Sequence, residues 1–155
     1  MCASGIPIED EHHAVKIVAF GLEMMKATDE INQRRKDQGK SVWKMRLGTH
    51  SGPLIAGVVG KKKFAFDIWG DTVNTAARLE QNGVEGEINV SKTTFNAVSH
   101  VFEGKSRGLQ EVKGKGKVEM FLISGYKPQY SSNEDPKIAG ETFEKLITTT
   151  SLLEK

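Results

Sequence analysis

A change of hydrophobic period at Gly70 and Asp71 joins a short predicted strand to a predicted helix. Upstream, Phe66 and Ile68 alternate with other residues, and this period of two indicates a strand. Downstream, apolar residues return at spacings of three and four, which predicts a helix over about residues 72–81. The chain must therefore fold around a corner where the end of a strand lies beside the start of a helix.

The same periodicities place further elements on either side of this corner. They are a helix at about residues 10–38, a hairpin of strands at 42–50 and 54–59, a strand at 87–90, a short helix through residue 98 with Ser91 as its N-cap, and strands at 101–107 and 118–124. The run at 54–59 is apolar throughout, which is typical of a buried central strand. This order predicts an α+β fold in which one sheet carries its helices on one face.

Each of the two longer predicted helices has one side that we expect to be buried. In the first helix this stripe consists of Ala14, Ile17, Val18, Gly21, Leu22, Met25 and Thr28. In the helix after Gly70 the predicted buried side consists of Val73, Ala76 and Ala77. The two alanines predict a close approach of that helix to the sheet.

The composition changes after about Tyr126. Clusters of proline, serine and threonine become frequent there, which is typical of linkers, and Phe143 and Leu146 are spaced as on a short helix. We therefore predict one domain over residues 1–125 and a C-terminal tail or linker over residues 126–155.

The overall composition bears on the class of function. The 155 residues are 37% hydrophobic and 27% charged, as in an ordinary soluble domain. The formal net charge of +2 argues against a nucleic-acid binder, which usually carries a clear basic excess. No apolar run reaches membrane-spanning length, and the lone Cys2 can form no intrachain disulfide. These features favour a cytoplasmic location, with the membrane attachment of a longer parent protein left open.

Asn74, Arg78 and Gln81 share one face of the helix after the corner, at spacings of four and three. Asparagine offers a donor and an acceptor, which suit a sugar hydroxyl, whereas arginine offers a charged fork that matches phosphate oxygens. The spacing alone favours the alternative that these residues form an ordinary exposed polar face.

Two further segments carry candidate binding chemistry. Asp67 lies on the strand before the corner, where a half-buried carboxylate needs a partner, and the residues alone favour a structural ion pair or hydrogen bond. The basic run from Val112 to Gly116 combines flexible glycines with lysine charges that suit a polyphosphate. A solvated hairpin turn explains that run equally well. His50 has the character of a packed or partly exposed strand histidine.

Taken together, these segments resemble the class III nucleotidyl cyclases. The stretch from Phe66 to Glu80, FDIWGDTVNTAARLE, is similar to that family's substrate-site strand and helix. Residues 46–53, RLGTHSGP, are similar to its central hairpin, and GEINVS at 86–91 and VKGKG at 112–116 are similar to its later signatures in the same order. The resemblance covers about residues 1–125 and implies the family's ferredoxin-like α+β sheet, without its N-terminal strand and helices.

This resemblance assigns expected roles to five residues. Asn74 would orient the ribose of a nucleotide, and Arg78 would stabilise the phosphorus centre in the transition state. Asp67 would read the adenine amine, with Ile68 beside it in the substrate site, and Lys113 would hold the terminal phosphates. Guanylate cyclases of the family usually have cysteine at the position of Asp67, which favours ATP over GTP.

The resemblance also implies contributions from outside this sequence. The family's two aspartates that bind a pair of Mg²⁺ or Mn²⁺ ions lie upstream of the matched part, and so does its adenine-pairing lysine. Its active sites form between two catalytic domains, which implies a homodimer with the site at the interface. We therefore expect an adenylate cyclase that converts ATP to cyclic AMP and pyrophosphate in signal transduction, with this chain inactive alone. The alternatives are a non-catalytic nucleotide-binding or regulatory module and a guanylate cyclase.

Overall fold

The computed structural model describes residues 1–132 and 135–149 of the chain. The elements are α1 (His13–Asp37), β1 (Leu47–Thr49), β2 (Ile55–Val59), β3 (Ala65–Trp69), α2 (Asp71–Gln81), β4 (Ile88–Ser91), α3 (Lys92–Val98), β5 (Phe102–Val112), β6 (Gly116–Tyr126) and α4 (Glu141–Thr149). Four strands form a sheet in the order β1-β4-β6-β5, in which only β1 and β4 are parallel. Strands β2 and β3 form a separate antiparallel hairpin.

Helix α1 packs on the sheet through the predicted stripe. Ala14, Val18, Gly21, Leu22 and Met25 are buried, while Ile17 and Thr28 are half-buried. Gly21 allows a close approach, because a Cβ at this position would lie 3.1 Å from Cδ1 of Ile88. The prediction of this helix and of its buried side is confirmed.

The sheet carries helices on both faces. Ile88 of β4 points towards α1, whereas the next residue, Asn89, points the other way and donates from Nδ2 to the carbonyl oxygen of Leu79 in α2 at 2.8 Å. The larger core, with α1 and α3, includes Val15, Val18, Leu22, Ile88, Val90, Val98, Phe102, Ile123 and Tyr126. The smaller core, under α2, consists of Leu79, Val112 and Met120, with Val118 beside them. The predicted α+β class is confirmed. The prediction that the helices share one face of the sheet is wrong for α2, which packs on the face opposite to α1 and α3.

The predicted hairpin between residues 42–50 and 54–59 is wrong. Strand β1 pairs with β4 in parallel, and β2 pairs with β3. Strand β2 is also not a buried central strand, since Ile55 is 70% exposed and Val58 is 64% exposed. An apolar run in a sequence indicates that burial of its side chains is favourable. It does not show whether they are buried in the core of the chain or lie on an exposed interaction surface.

The strand predicted at residues 42–50 is shorter than expected. Trp43 lies before β1 and is held against α1, where its N–H donates to Asn32 Oδ1 at 2.7 Å and Asn32 Nδ2 donates to its carbonyl at 2.8 Å. The guanidinium carbon of Arg35 lies 4.9 Å from the centre of the Trp43 ring. These contacts with the helix replace the strand pairing that the alternating pattern suggested.

Several of the described residues beyond Tyr126 pack on the large core. The backbone N–H of Tyr126 donates to the carbonyl of Pro136 at 2.7 Å, and Ser131 forms a β-bridge with Ala139. Phe143 of α4 is 2% exposed and meets the Tyr126 ring edge-on, with 4.8 Å between the ring centroids. The described part of the expected tail is therefore anchored on the domain. The linker-like residues 133–134 and 150–155 lie outside the described residues.

Candidate functional site

The corner between β3 and α2 brings four of the five predicted site residues onto adjacent elements. Asp67 and Ile68 lie in β3, and Asn74 and Arg78 lie in the first two turns of α2. Gly70 forms the joint with a φ of 130°, a left-handed conformation that residues with a Cβ rarely adopt. Its carbonyl accepts a hydrogen bond from the N–H of Asn74 at 3.3 Å, so the helix begins immediately after the strand.

Asp67 is exposed, contrary to the expectation of a half-buried carboxylate with a structural partner. It lies opposite Gly57 in the hairpin ladder, and its Oδ1 accepts the backbone N–H of Ile68 at 2.9 Å. The hairpin stands off the main sheet, which explains the exposure. Ile68 is half-buried and borders the groove described below. The carboxylate therefore retains acceptor capacity towards a ligand at the surface.

The polar face of α2 is assembled as its spacing predicts. Asn74 is exposed, and Nη1 of the half-buried Arg78 donates to Oε1 of Gln81 at 2.7 Å. This Arg–Gln hydrogen bond is an exposed local one, and a phosphate oxygen that approaches Arg78 would have to compete with it.

The predicted buried side of α2 is wrong in its helical phase. The buried residues are Thr72, Thr75 and Leu79, whereas Val73, Ala76 and Ala77 are only half-buried. Leu79 sets this orientation because it fills the small core against Val112 and Met120.

Val73, Ala76 and Ala77 line a mostly apolar groove of about 410 Å³. The groove follows β1, which is an edge strand of the sheet, and α1 borders it through Phe20 and Met24. Because α1 and α2 lie on opposite faces of β1, the groove opens along the edge of the strand and between the two helices.

Three long-range hydrogen bonds anchor α2 in this position. At its start, Thr72 Oγ1 donates to the carbonyl of Pro53 at 2.5 Å. At its end, Asn89 Nδ2 donates to the carbonyl of Leu79, and Arg107 Nη1 donates to the carbonyl of Asn82 at 2.6 Å. Sequence patterns did not reveal these anchors, since the partners are separated by 10 to 25 positions and have no shared periodicity.

The basic turn between β5 and β6 reaches the start of α2. Lys113 is exposed, whereas Nζ of Lys115 donates to Oδ1 of Asp71 in an ion pair that joins positions 44 residues apart. The hydrogen bond and charge of Lys115 lower the pKa of the Asp71 carboxyl below its ordinary value. The structure therefore brings the predicted phosphate-binding turn to the corner, and the residue that makes the contact is Lys115 and not Lys113.

His50 belongs to a polar cluster between β1 and α3. Its Nδ1 lies 2.7 Å from Oγ of Ser91, which is the N-cap of α3 and accepts the N–H of Thr94 at 3.2 Å. Thr94 Oγ1 in turn accepts the N–H of Ser51 at 2.8 Å. Burial, helped by the charge of Lys115, lowers the pKa of His50 below 6.5, against the opposing effect of Asp71. His50 is thus a half-buried histidine next to β1, and Ser91 is the N-cap that the sequence predicts.

The described residues do not provide a divalent-metal site. No group of three His, Cys, Asp or Glu side chains in residues 1–132 and 135–149 is arranged to hold a metal ion. The Asp71 carboxylate is paired with Lys115, and the Asp67 carboxylate accepts a hydrogen bond from the backbone N–H of Ile68.

In the same described part of the chain, no helix combines the length and the apolar character needed to cross a membrane.

Comparison with known proteins identifies the family. The family model of the adenylate and guanylate cyclase catalytic domain matches residues 1–125. The chain belongs to this family. The class III cyclase fold expected from the motifs is therefore confirmed, and the corner at Gly70 lies inside the matched cyclase domain.

The relatives of this chain include both adenylate cyclases and guanylate cyclases. The chain is 36% identical over 135 residues to adenylate cyclase type 9 of Gallus gallus and 37% identical over 124 residues to guanylate cyclase soluble subunit beta-2 of Rattus norvegicus. These matches cover 81% and 79% of the chain, and 10% and 18% of the relatives. The adenylyl cyclase CyaB of P. aeruginosa has a similar structure, with a TM-score of 0.75 at 27% identity over 81% of this chain and 66% of that chain. The chain thus spans a small part of these two relatives and about two thirds of the solved CyaB chain.

Proposed function

We propose that this chain supplies the nucleotide-binding half of an adenylate cyclase active site, in which ATP is converted to cyclic AMP and pyrophosphate. The observation that carries the proposal is the corner at Gly70, where the exposed carboxylate of Asp67 leads directly into the exposed Asn74 and the nearby Arg78. The ion pair between Asp71 and Lys115 adds a basic turn to the same corner. One nucleotide bound at this corner would have Asp67 next to its base, Asn74 next to its ribose, and Arg78 and the basic turn next to its phosphates.

Asp67 would select the purine base. Its carboxylate can only accept hydrogen bonds, and adenine presents an amine at its six position, where guanine presents an oxygen. Gly57 lies opposite Asp67 in the hairpin and has no side chain that would cover the carboxylate. Ile68 would line the substrate site beside it. A mispaired charged group costs about 1–3 kcal/mol or more, which is enough to favour ATP over GTP.

Asn74 and Arg78 would act on the sugar and the phosphate. In the reaction the ribose 3′ oxygen forms a bond to the α-phosphorus, the bond from that phosphorus to the bridging oxygen breaks, and pyrophosphate leaves with that oxygen. The proton of the 3′ hydroxyl passes to solvent. Asn74 would orient the ribose, and Arg78 would stabilise negative charge that develops on the phosphoryl group. Lys113 would contact the terminal phosphates.

The metal ligands would come from outside this chain. Two Mg²⁺ or Mn²⁺ ions supply activation of the hydroxyl and charge neutralisation in reactions of this kind, and the described residues here do not fit such ions. This chain matches about two thirds of the solved CyaB chain, and the ligands would lie in a part of a longer protein that this chain does not cover. The 155-residue chain is therefore expected to form no cyclic AMP when purified alone, and measurable product would contradict this assignment.

The exposed hairpin supports a homodimer with the site at the interface. Ile55, Val58 and Phe66 are 70%, 64% and 56% exposed, and they lie on the same hairpin as Asp67. Val58 and Phe66 share one face of the hairpin, and Ile55 lies on the other face with Asp67. Both faces therefore carry exposed apolar side chains that a second copy of the chain would cover. Sedimentation of the chain tests this, with Val58→Lys expected to shift it towards monomer. The matched control is Leu109→Lys, at a similarly exposed position outside the hairpin. Equal effects of the two substitutions would contradict the dimer surface.

A guanylate cyclase is the second candidate, favoured by the 37% identity to a guanylate cyclase subunit. Turnover of ATP and of GTP by a longer protein that contains this chain separates the two. A preference for ATP supports the adenylate cyclase, and a preference for GTP contradicts it. A longer protein that binds a nucleotide without forming a cyclic product would instead be the non-catalytic module.

A further inference from the structure

The basic turn between β5 and β6 is fixed at one lysine and open at the other. The side chain of Lys115 is 23% exposed and is paired with Asp71, whereas Lys113 is exposed. Gly114 lies between them with a φ of 77°, and nothing lies within 4 Å of the position that its Cβ would occupy. The two lysines of this turn therefore have different surroundings, although both are next to Gly114 in the sequence.

We propose that Lys115 is a positioning residue, whose ion pair with Asp71 clips the basic turn to the start of α2 and so presents Lys113 to the phosphates of a bound nucleotide. The proposal rests on the function proposed above for this site. It assigns to Lys115 and Asp71 a role distinct from direct contact with the substrate.

The attachments of the turn explain why a clip is needed. Its base is held where Val112, which is 4% exposed, packs against Leu79 of α2. Beyond the base, the N–H of Lys115 donates to the carbonyl of Val112 at 3.0 Å, which closes the turn on itself without tying it to α2. The Asp71–Lys115 ion pair makes the connection from the tip of the turn to the helix. Without it, the glycine-rich tip would sample many conformations, and Lys113 would lose conformational entropy on binding phosphate.

The charges of the corner fit the same role. Asp71 neutralises Lys115, which leaves Lys113 as the turn's available cation for a phosphate. Asp71 also stands in the first turn of α2, where a negative charge is favourable at the helix N-terminus. Both effects hold the carboxylate at the position from which it binds Lys115.

A competing interpretation is that Asp71 occupies Lys115 in place of a phosphate and thereby lowers nucleotide affinity. The two interpretations predict opposite signs. Loss of Asp71 weakens phosphate binding if the ion pair positions the turn, and strengthens it if the carboxylate competes with phosphate for Lys115.

The experiment is nuclear magnetic resonance on the 155-residue chain, with EDTA present, during titration with ATP and with inorganic tripolyphosphate. Amide shifts of Gly114 and Gly116 report binding, and the heteronuclear Overhauser effect of the same amides in the free protein reports the order of the turn. The variants are Asp71→Asn, Lys115→Gln and Asp71→Glu. Because Lys115→Gln leaves the acidic residue on α2, agreement between it and Asp71→Asn assigns the effect to the ion pair. Glu119→Gln is the control, since it breaks the 2.7 Å ion pair between Lys92 of α3 and Glu119 of β6, away from the tip of the turn.

Asp71→Asn and Lys115→Gln are each expected to disorder Gly114 and to weaken tripolyphosphate binding about two- to fivefold, as suits an exposed ion pair. Asp71→Glu should restore most of the affinity, and Glu119→Gln should change neither readout. If the wild type binds tripolyphosphate and the first two variants bind it equally or more tightly, the positioning role of the Asp71–Lys115 ion pair is contradicted, whereas the proposed nucleotide site is not. Absence of binding by the wild type overturns the nucleotide site itself, and the clip with it.

Discussion

Asp67 of β3 lies opposite Gly57 of β2, so the cross-strand neighbour of this carboxylate has no side chain. The only hydrogen bond that the described structure gives to the Asp67 carboxylate comes from the N–H of Ile68, at 2.9 Å. Because the Asp67 carboxylate is exposed, its remaining acceptor positions are available to a purine base. This arrangement makes purine selection the most direct property to test at the corner.

Asp67→Cys is expected to reduce the preference for ATP over GTP in a longer protein that contains this chain. The variant loses a charged acceptor for the adenine amine, which predicts a change of about tenfold to a hundredfold in the ratio of kcat/KM values. Steady-state turnover of both nucleotides measures it. Asp29→Cys, at an exposed position of α1, is the control. A purine ratio that stays the same in Asp67→Cys would remove Asp67 from base selection.

Arg78→Ala is expected to lower kcat about a hundredfold to a thousandfold, because it removes charge stabilisation that is strongest in the transition state. Asn74→Ala should lower kcat to a smaller extent through loss of ribose orientation. Gln81→Ala is the matched control on the same face, since it frees Arg78 from its 2.7 Å hydrogen bond and leaves the guanidinium in place. A loss in Gln81→Ala as large as that in Arg78→Ala would show that the helix face, and not the guanidinium, is responsible.

Phe143→Ala is expected to lower the free energy of unfolding of the 155-residue chain by about 3–5 kcal/mol. Phe143 is 2% exposed and packs on Tyr126 and Phe102, so its removal leaves a cavity in the large core. Urea denaturation measures the change, with Phe64→Ala at a 73% exposed position as the matched control. A change in Phe143→Ala no larger than that of Phe64→Ala would mean that residues 135–149 are not anchored on the domain.

His50 predicts a dependence of stability on pH. Burial lowers the pKa of His50 in the folded chain below its ordinary value of 6.5, so the imidazole is neutral in both the folded and the unfolded states at a pH well above 6.5. As the pH falls below 6.5, the unfolded state binds the proton more tightly, and the free energy of unfolding decreases. The His50→Asn variant, which keeps an acceptor towards Ser91, should show a shallower decrease than the wild type. Identical slopes for the two proteins would contradict the lowered pKa.

The sequence predicted the elements whose packing is local. The stripe on α1 and the N-cap Ser91 depend on residues within a few turns of one another, and both are found in the structure. The prediction of a buried central strand at 54–59 is wrong because the apolar side chains there are exposed on a hairpin, as the 70% exposure of Ile55 shows. The predicted buried side of α2 is wrong because Leu79, which orients the helix, packs on residues more than thirty positions away in the sequence.

The candidate site was predicted from motif resemblance and not from spacing. Spacing alone left Asn74 and Arg78 as a polar helix face, and the exposed Asn74 and half-buried Arg78 of the structure agree with either interpretation. The ion pair of Asp71 with Lys115 had no signal in the sequence, since the partners are 44 positions apart and acquire their relationship only when the β5–β6 hairpin folds over α2.

The most direct test of the account is the product formed from an equimolar mixture of ATP and GTP by a longer protein that contains this chain, with Mg²⁺ or Mn²⁺ present. We predict that cyclic AMP is formed in clear excess over cyclic GMP, and that Arg78→Ala abolishes most of the product. An excess of cyclic GMP, or cyclic AMP formation that Arg78→Ala leaves unchanged, would contradict the account.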